Sequence, residues 1–352
     1  MCHDPLMTSF PHPSATVPNR HARRRAASGV LAAALLLAVP ACSTDGEDGS
    51  NSDSVTDVAD GDVRTVTDSE GNEVEVPADP QTIVTLHFAA VQALLDLGTE
   101  PAGQNGTATR SLLTEEQFER MKDVPDIGRD GQADLEAVAA LEPDLILVPN
   151  MVDEEIVEKL RELAPSYIYT HAGPERADWS GRVAQIADAV NRTDRYEELE
   201  EDLRARQEDV ADAYGDELAD RRVAFFASYD DQEITAMGSG SMAGEIITPA
   251  GARFADGIDD ATRDADGWEQ EMSAENLSSV LGDADLVFYA TGFDGSTTDS
   301  LDTLMESTAF RDLEASQQGE VRPLGKGTIA GFTDAFDVLD NLEDAVEDSS
   351  AN

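Results

Sequence analysis

The stretch Asp134–Val148, DLEAVAALEPDLILV, passes from a helix-forming run through a Pro turn into an unbroken apolar strand. Ala274–Tyr289, AENLSSVLGDADLVFY, repeats that order more weakly. A short apolar run without alternation fits a strand covered on both faces, as in a parallel sheet flanked by helices. Each copy carries an acid near the start of its helical run, Glu136 and Glu275, and an Asp leading into its strand. A chain that builds this object twice is constrained towards two similar α/β halves.

The surrounding pattern agrees. VTDSEGNEVEVP reads as a hairpin turning at Gly71-Asn72, followed by a strand at 82–86 and a helix AAVQALLDLG that ends at Gly98. DLILV and SYIYT read as strands, with the helix EEIVEKLREL between them. From 177 to about 218 the chain is mostly helical, broken near Asn191–Thr193. Apolar residues recur there at helical spacing, first Trp179, Val183, Ile186, Ala187 and Val190, then Tyr196, Leu199, Leu203, Val210 and Tyr214. A second α/β region follows, with strands RRVAFFASY, ADLVFYAT and EVRPL and a last helix AFDVLDNLEDAV. The fold class expected is α/β: two lobes with mainly parallel sheets, a helical connector and a cleft between the lobes. The divisions expected are an N-terminal lobe over 62–175, the connector over 176–218 and a C-terminal lobe over 219–348.

The first residues read differently. RHARRR precedes the apolar run AASGVLAAALLLAVPA and then Cys42. That run is short for a bilayer span, so residues 1–41 are expected to be a secretory signal, the alternative being one anchoring helix. VPAC resembles a bacterial lipobox, departing from it at Pro40. The resemblance implies a lipidated Cys42 and anchoring at the outer face of the cytoplasmic membrane. Cys2 falls within the signal, so no cysteine pair remains for a disulfide. Residues 42–61 are acidic, rich in Ser and Gly and poor in large apolar groups, and are expected to be a disordered tether.

Composition narrows the function. The formal net charge is −49, which repels phosphate backbones and argues against a nucleic-acid partner. Only three of the cationic residues are Lys: Lys122, Lys159 and Lys326. Beyond the signal only His87 and His171 remain, so a three-His zinc site needs another ligand type; no resident metal is expected. There is no G-x-S-x-G elbow, and GSGSMAG at 238–244 lacks the Walker spacing and Lys. It reads as a Gly-rich turn opening a helix. No catalytic constellation is visible, and the chain is not expected to be an enzyme.

On VTDSEGNEVEVPADPQTIVTL, DLEAVAALEPDLILV, RRVAFFAS, SAENLSSVLGDADLVFYA and VLDNLEDAV, in order over 62–347, the sequence resembles the substrate-binding lipoproteins of iron-siderophore, haem and vitamin B12 ABC importers. That resemblance implies Rossmann-like lobes bridged by a long helix. It implies a monomer with no resident cofactor that carries a ferric siderophore to an ABC permease dimer and its ATPase. It also implies that Glu136 and Glu275, one on each lobe, dock onto arginines of the permease; the other reading is that each merely favours a helix N-terminus. Ligand contacts are expected on loops after strands, from His87, Phe88, Arg129, Tyr229, Met237, Arg253, Trp268, Phe293 and Phe332. Trp268 stands out because DADGWEQEMS offers it little core, whereas Trp179 fits the helix stripe. Few arginines disfavour a tricatecholate, so a hydroxamate or mixed chelate is expected. Haem or corrinoid capture is the alternative within the family. A lipid-anchored enzyme or a sensory lipoprotein without import is the alternative outside it.

Overall fold

A computed structural model describes residues 62–106, 108–129 and 132–350. The signal, Cys42 and the tether therefore lie outside the described residues. Among those described, no helix is long and apolar enough to cross a membrane.

The first sheet is wholly parallel. Leu145–Pro149 lies at its centre, between Ile83–Thr85 and Ser166–Tyr169. All five residues of the central strand are buried, as its unbroken apolar sequence requires. Helices Phe88–Asp96, Leu135–Ala140 and Glu154–Arg161 follow or connect its strands. The hairpin Val63–Thr67/Glu73–Pro77 pairs antiparallel and turns at Gly71, whose φ of 85° favours Gly. The Tyr167 hydroxyl holds it from below, donating to the Thr67 carbonyl at 3.3 Å.

The second sheet is mixed. Its order is Glu269–Ser273, Glu233–Met237, Arg222–Ala227, Leu286–Ala290, Val321–Gly325, with Arg253–Phe254 pairing beside the start of Arg222–Ala227. Arg222–Ala227, Leu286–Ala290 and Val321–Gly325 run parallel. Glu233–Met237 is antiparallel to both of its neighbours. Several elements of this region go beyond the sequence reading. EQEMS, next to Trp268, is an edge strand, and helices Asp299–Glu306, Thr308–Arg311 and Glu314–Gln318 fill the stretch between the last two parallel strands.

Between the sheets run helices Trp179–Ala189 and Thr193–Ala219, separated near Asn191 as the sequence indicates. The second has 27 residues, a length of roughly 40 Å. Its stripe Leu199, Leu203, Val210 and Leu218 is buried. Its outer half is strapped to the last helix, Phe332–Ser350, by Arg206 with Asp340 and Glu343 and by Tyr214 donating to Glu347 at 2.6 Å.

Candidate functional site

In a parallel sheet the loops that leave the carboxyl ends of the strands gather on one side. Here they converge from both sheets. His87 and Phe88 follow Ile83–Thr85; Tyr229 follows Arg222–Ala227; Thr291–Thr298 follows Leu286–Ala290; Lys326–Thr328 follows Val321–Gly325. Together with Ser111 and Leu112 these loops line a cavity of about 420 Å³. Its polar lining is mainly hydroxyl: Ser111, Tyr229, Thr291, Ser296, Thr297, Thr298 and Thr328.

The backbones meet closely there. Phe293 N–H donates to the Ser111 carbonyl at 3.0 Å, and a Cβ on Gly292 would lie 2.7 Å from Ser111. A Cβ on Gly327 would meet the Tyr229 hydroxyl at 2.5 Å and the Met237 methyl at 2.8 Å. Tyr229 itself is 53% exposed, standing in the cleft rather than in a core.

Lys326 is 7% exposed. Its Nζ donates to the Leu112 carbonyl at 2.9 Å, meets Asp334 Oδ1 at 2.8 Å and lies 4.9 Å from the centre of the Phe293 ring. Asp334 is 1% exposed and also accepts from Ala330 N–H at 2.6 Å. Burial pushes its pKa up, while the charge of Lys326 and the hydrogen bonds it receives pull the other way.

His87 caps helix Phe88–Asp96, its Nδ1 accepting from Ala89 N–H at 3.2 Å. Its ring stands 4.0 Å from that of His171. Burial, reinforced by the charge of Arg182, lowers His87 to about 4; burial and then His87 lower His171 to about 2. Both rings are therefore neutral at pH 7. Arg182, 1% exposed, donates to the Ile329 carbonyl, and burial lowers its pKa to about 10. Beside this group Arg176 pairs with Glu269 at 2.7 Å.

A second cavity, of about 630 Å³, is lined by Trp179, Leu203, Gln207, Gly240, Pro249 and Trp268, among others. Gly267 and Trp268 both have positive φ, 65° and 54°, which lays the indole over Gly240. A Cβ on Gly240 would come within 2.5 Å of that indole.

The structure thus brings five of the residues singled out in the sequence to the first cavity or its wall: His87, Phe88, Tyr229, Met237 and Phe293. Trp268 lines the other cavity. Arg253 sits at the opposite end of its sheet, beside Arg222 where the strands begin, and does not join the site. Phe332 is fully buried, its ring 5.2 Å from Trp179 and 5.8 Å from Tyr196, so it belongs to the core. Trp179, expected in the core, is 3% exposed. Arg129 lies in a two-residue ladder opposite Gln132. Glu136 and Glu275 are both exposed in the first turn of a helix whose cap, Asp134 or Ser273, accepts a backbone N–H. Sequence reasoning missed Lys326 and Asp334. A lysine directly after a strand, in a chain with so few, was the available signal. Among the described residues no group of three His, Cys, Asp or Glu side chains is arranged to hold a metal ion.

A sequence profile of the periplasmic binding protein family matches residues 83–327. A putative ABC transporter substrate-binding lipoprotein of Bacillus subtilis (strain 168), YhfQ, is 23% identical over 258 residues, covering 71% of this chain and 77% of the relative. A probable siderophore-binding lipoprotein of the same organism, YfiY, is 31% identical over 172 residues, 48% of this chain and 51% of the relative. The siderophore periplasmic binding protein from the fuscachelin gene cluster of Thermobifida fusca is similar in fold, with a TM-score of 0.65 and 27% identity. That match covers 78% of this chain and 98% of the other.

Proposed function

Because the chain belongs to the periplasmic binding protein family, we propose that it captures a ferric siderophore outside the cytoplasm and delivers it to an ABC importer. The observation that carries this reading is the hydroxyl-lined cavity where strand ends of both sheets converge. Hydroxyl donors suit the oxygen shell of a chelated ferric ion, and the chelator holds the metal, so no protein–iron bond is required. The names of YfiY and of the Thermobifida fusca protein support the ligand class, and that of YhfQ supports the transport role. A hydroxamate or mixed chelate fits best, and the protein acts by binding and release rather than by catalysis. Cys42 is its lipid anchor. Lobes over 62–175 and 219–348, with 176–218 between them, are the working division. Glu136 and Glu275 are the contacts to the permease dimer, which works with its ATPase.

Calorimetric titration of the purified protein with a ferric trihydroxamate, a ferric tricatecholate, haem and cobalamin tests this reading. Trp fluorescence is a poor first readout, because Trp268 lines the other cavity and Trp179 is buried. The expected result is saturable binding of the hydroxamate, weakened about tenfold or more in Tyr229→Ala, which removes a large amphipathic contact. Binding of haem or cobalamin alone would overturn it.

A further inference from the structure

Among the described residues that line the cleft cavity, Lys326 alone carries a formal charge. That charge does not stand free. Asp334, in the first turn of the last helix, reaches it from beneath the cavity wall at 2.8 Å, and both side chains are nearly closed to solvent. The Leu112 carbonyl takes a further Lys326 N–H. Asp334 does not line the cavity, so its effect on a ligand passes through the ammonium it neutralises.

Resting on the ferric-siderophore reading, we propose that Asp334 is a specificity-determining positioning residue. By cancelling and holding Lys326, it makes the cavity electroneutral and selects uncharged ferric chelates over anionic ones. Three singly charged hydroxamates neutralise a ferric ion, whereas three catecholates leave a strongly anionic complex. In an electroneutral cavity an anionic complex finds hydroxyl donors but no free cation to offset its desolvation. The net charge of −49 adds repulsion at long range. Arg176 and Arg182 do not line the cavity: Arg176 is paired with Glu269, and Arg182, 1% exposed and donating to the Ile329 carbonyl, acts on a ligand only from a distance, in wild type and variants alike.

The test compares affinities for ferrichrome, an electroneutral trihydroxamate, and a ferric tricatecholate. It uses wild type, Asp334→Asn and the double variant Lys326→Met/Asp334→Asn. Asn keeps an acceptor for Ala330 N–H while removing the one carboxylate within ion-pair distance of the ammonium among the described residues, with Asp337 left as a weaker, more distant counter-charge. Wild type should prefer ferrichrome. Asp334→Asn should move the affinity ratio towards the tricatecholate by about tenfold or more, with a gain that shrinks as salt is raised. The double variant should return the ratio to that of wild type. A ratio unmoved in Asp334→Asn, or a shift that persists in the double variant, overturns the proposal while leaving ferric-siderophore capture standing. If Asp334→Asn does not fold, the double variant carries the test, because a ratio different from wild type overturns the proposal. Wild type that binds neither chelate overturns the underlying reading as well.

Discussion

At the scale of single residues, burial holds several titrating groups of the interior away from their ordinary values. Burial, with Arg182 adding to it, lowers His87 to about 4, and burial with the neighbouring His87 lowers His171 to about 2. In the unfolded chain both rings take up protons as pH falls through about 6.5. The folded chain resists that uptake. The rings' share of stability is therefore complete above about 6.5 and declines as pH drops towards the folded values. Asp96 and Asp337 act in the opposite sense. Burial raises each to about 6, so each favours the folded state fully below the unfolded carboxylate value, and that contribution disappears as pH rises through about 6. Replacing the two rings, as His87→Asn with His171→Gln, keeps a helix-capping side chain at 87 and removes only the first effect. Urea denaturation between pH 7 and pH 5 should then show a smaller loss, or a gain, of stability on acidification than in wild type. Parallel slopes for the two proteins would show that the histidines do not govern the response.

At the scale of elements, the parallel core was legible and its edges were not. The runs Leu145–Val148 and Leu286–Phe288 are apolar and buried because both faces of each strand are covered there, and that continuity shows in the sequence. The loops after such strands also pointed to His87, Phe88, Tyr229 and Phe293. EQEMS carries no such signal. It is an edge strand, mostly exposed, and its pairing with Glu233–Met237 supplies what its composition lacks. That strand matters because its first residue, Glu269, joins the segment ahead of helix Trp179–Ala189 through Arg176. The link is asymmetric: the Glu269 side chain is 6% exposed and that of Arg176 34%. Arg176→Ala strands a buried carboxylate and should cost about 2 kcal/mol or more, whereas Glu269→Gln leaves a guanidinium that can reach water and should cost less. Urea denaturation of the two variants reads the difference, and equal losses would mean that burial of Glu269 does not set the energetics. Lys326 with Asp334 was hidden for a related reason. Eight positions separate them in sequence, and nothing local predicts that the start of the last helix passes beneath the cleft.

At the scale of the whole molecule, the duplication that shapes the fold also places one exposed glutamate on each half, in matching local settings. Glu136 follows the cap Asp134 and Glu275 follows the cap Ser273. A first-turn acid in such a setting stabilises its helix by about 0.3–1 kcal/mol through the helix dipole. That gives each residue a local reason to exist and makes position alone an insufficient argument for docking. Two like charges on two similar halves nonetheless suit a partner with two-fold symmetry, and rim charges act on orientation and association more than on fold. The two roles separate experimentally. Glu136→Ala with Glu275→Ala should change stability by no more than about 2 kcal/mol and leave chelate affinity unaltered. Uptake of iron by cells that depend on this protein should fall severely, because capture continues while transfer to the permease fails. The single variants should each lose part of the uptake, since one remaining anchor still orients the complex. If the double variant binds chelate and supports uptake as wild type does, the glutamates serve their helices alone, and the permease must recognise another surface of the molecule.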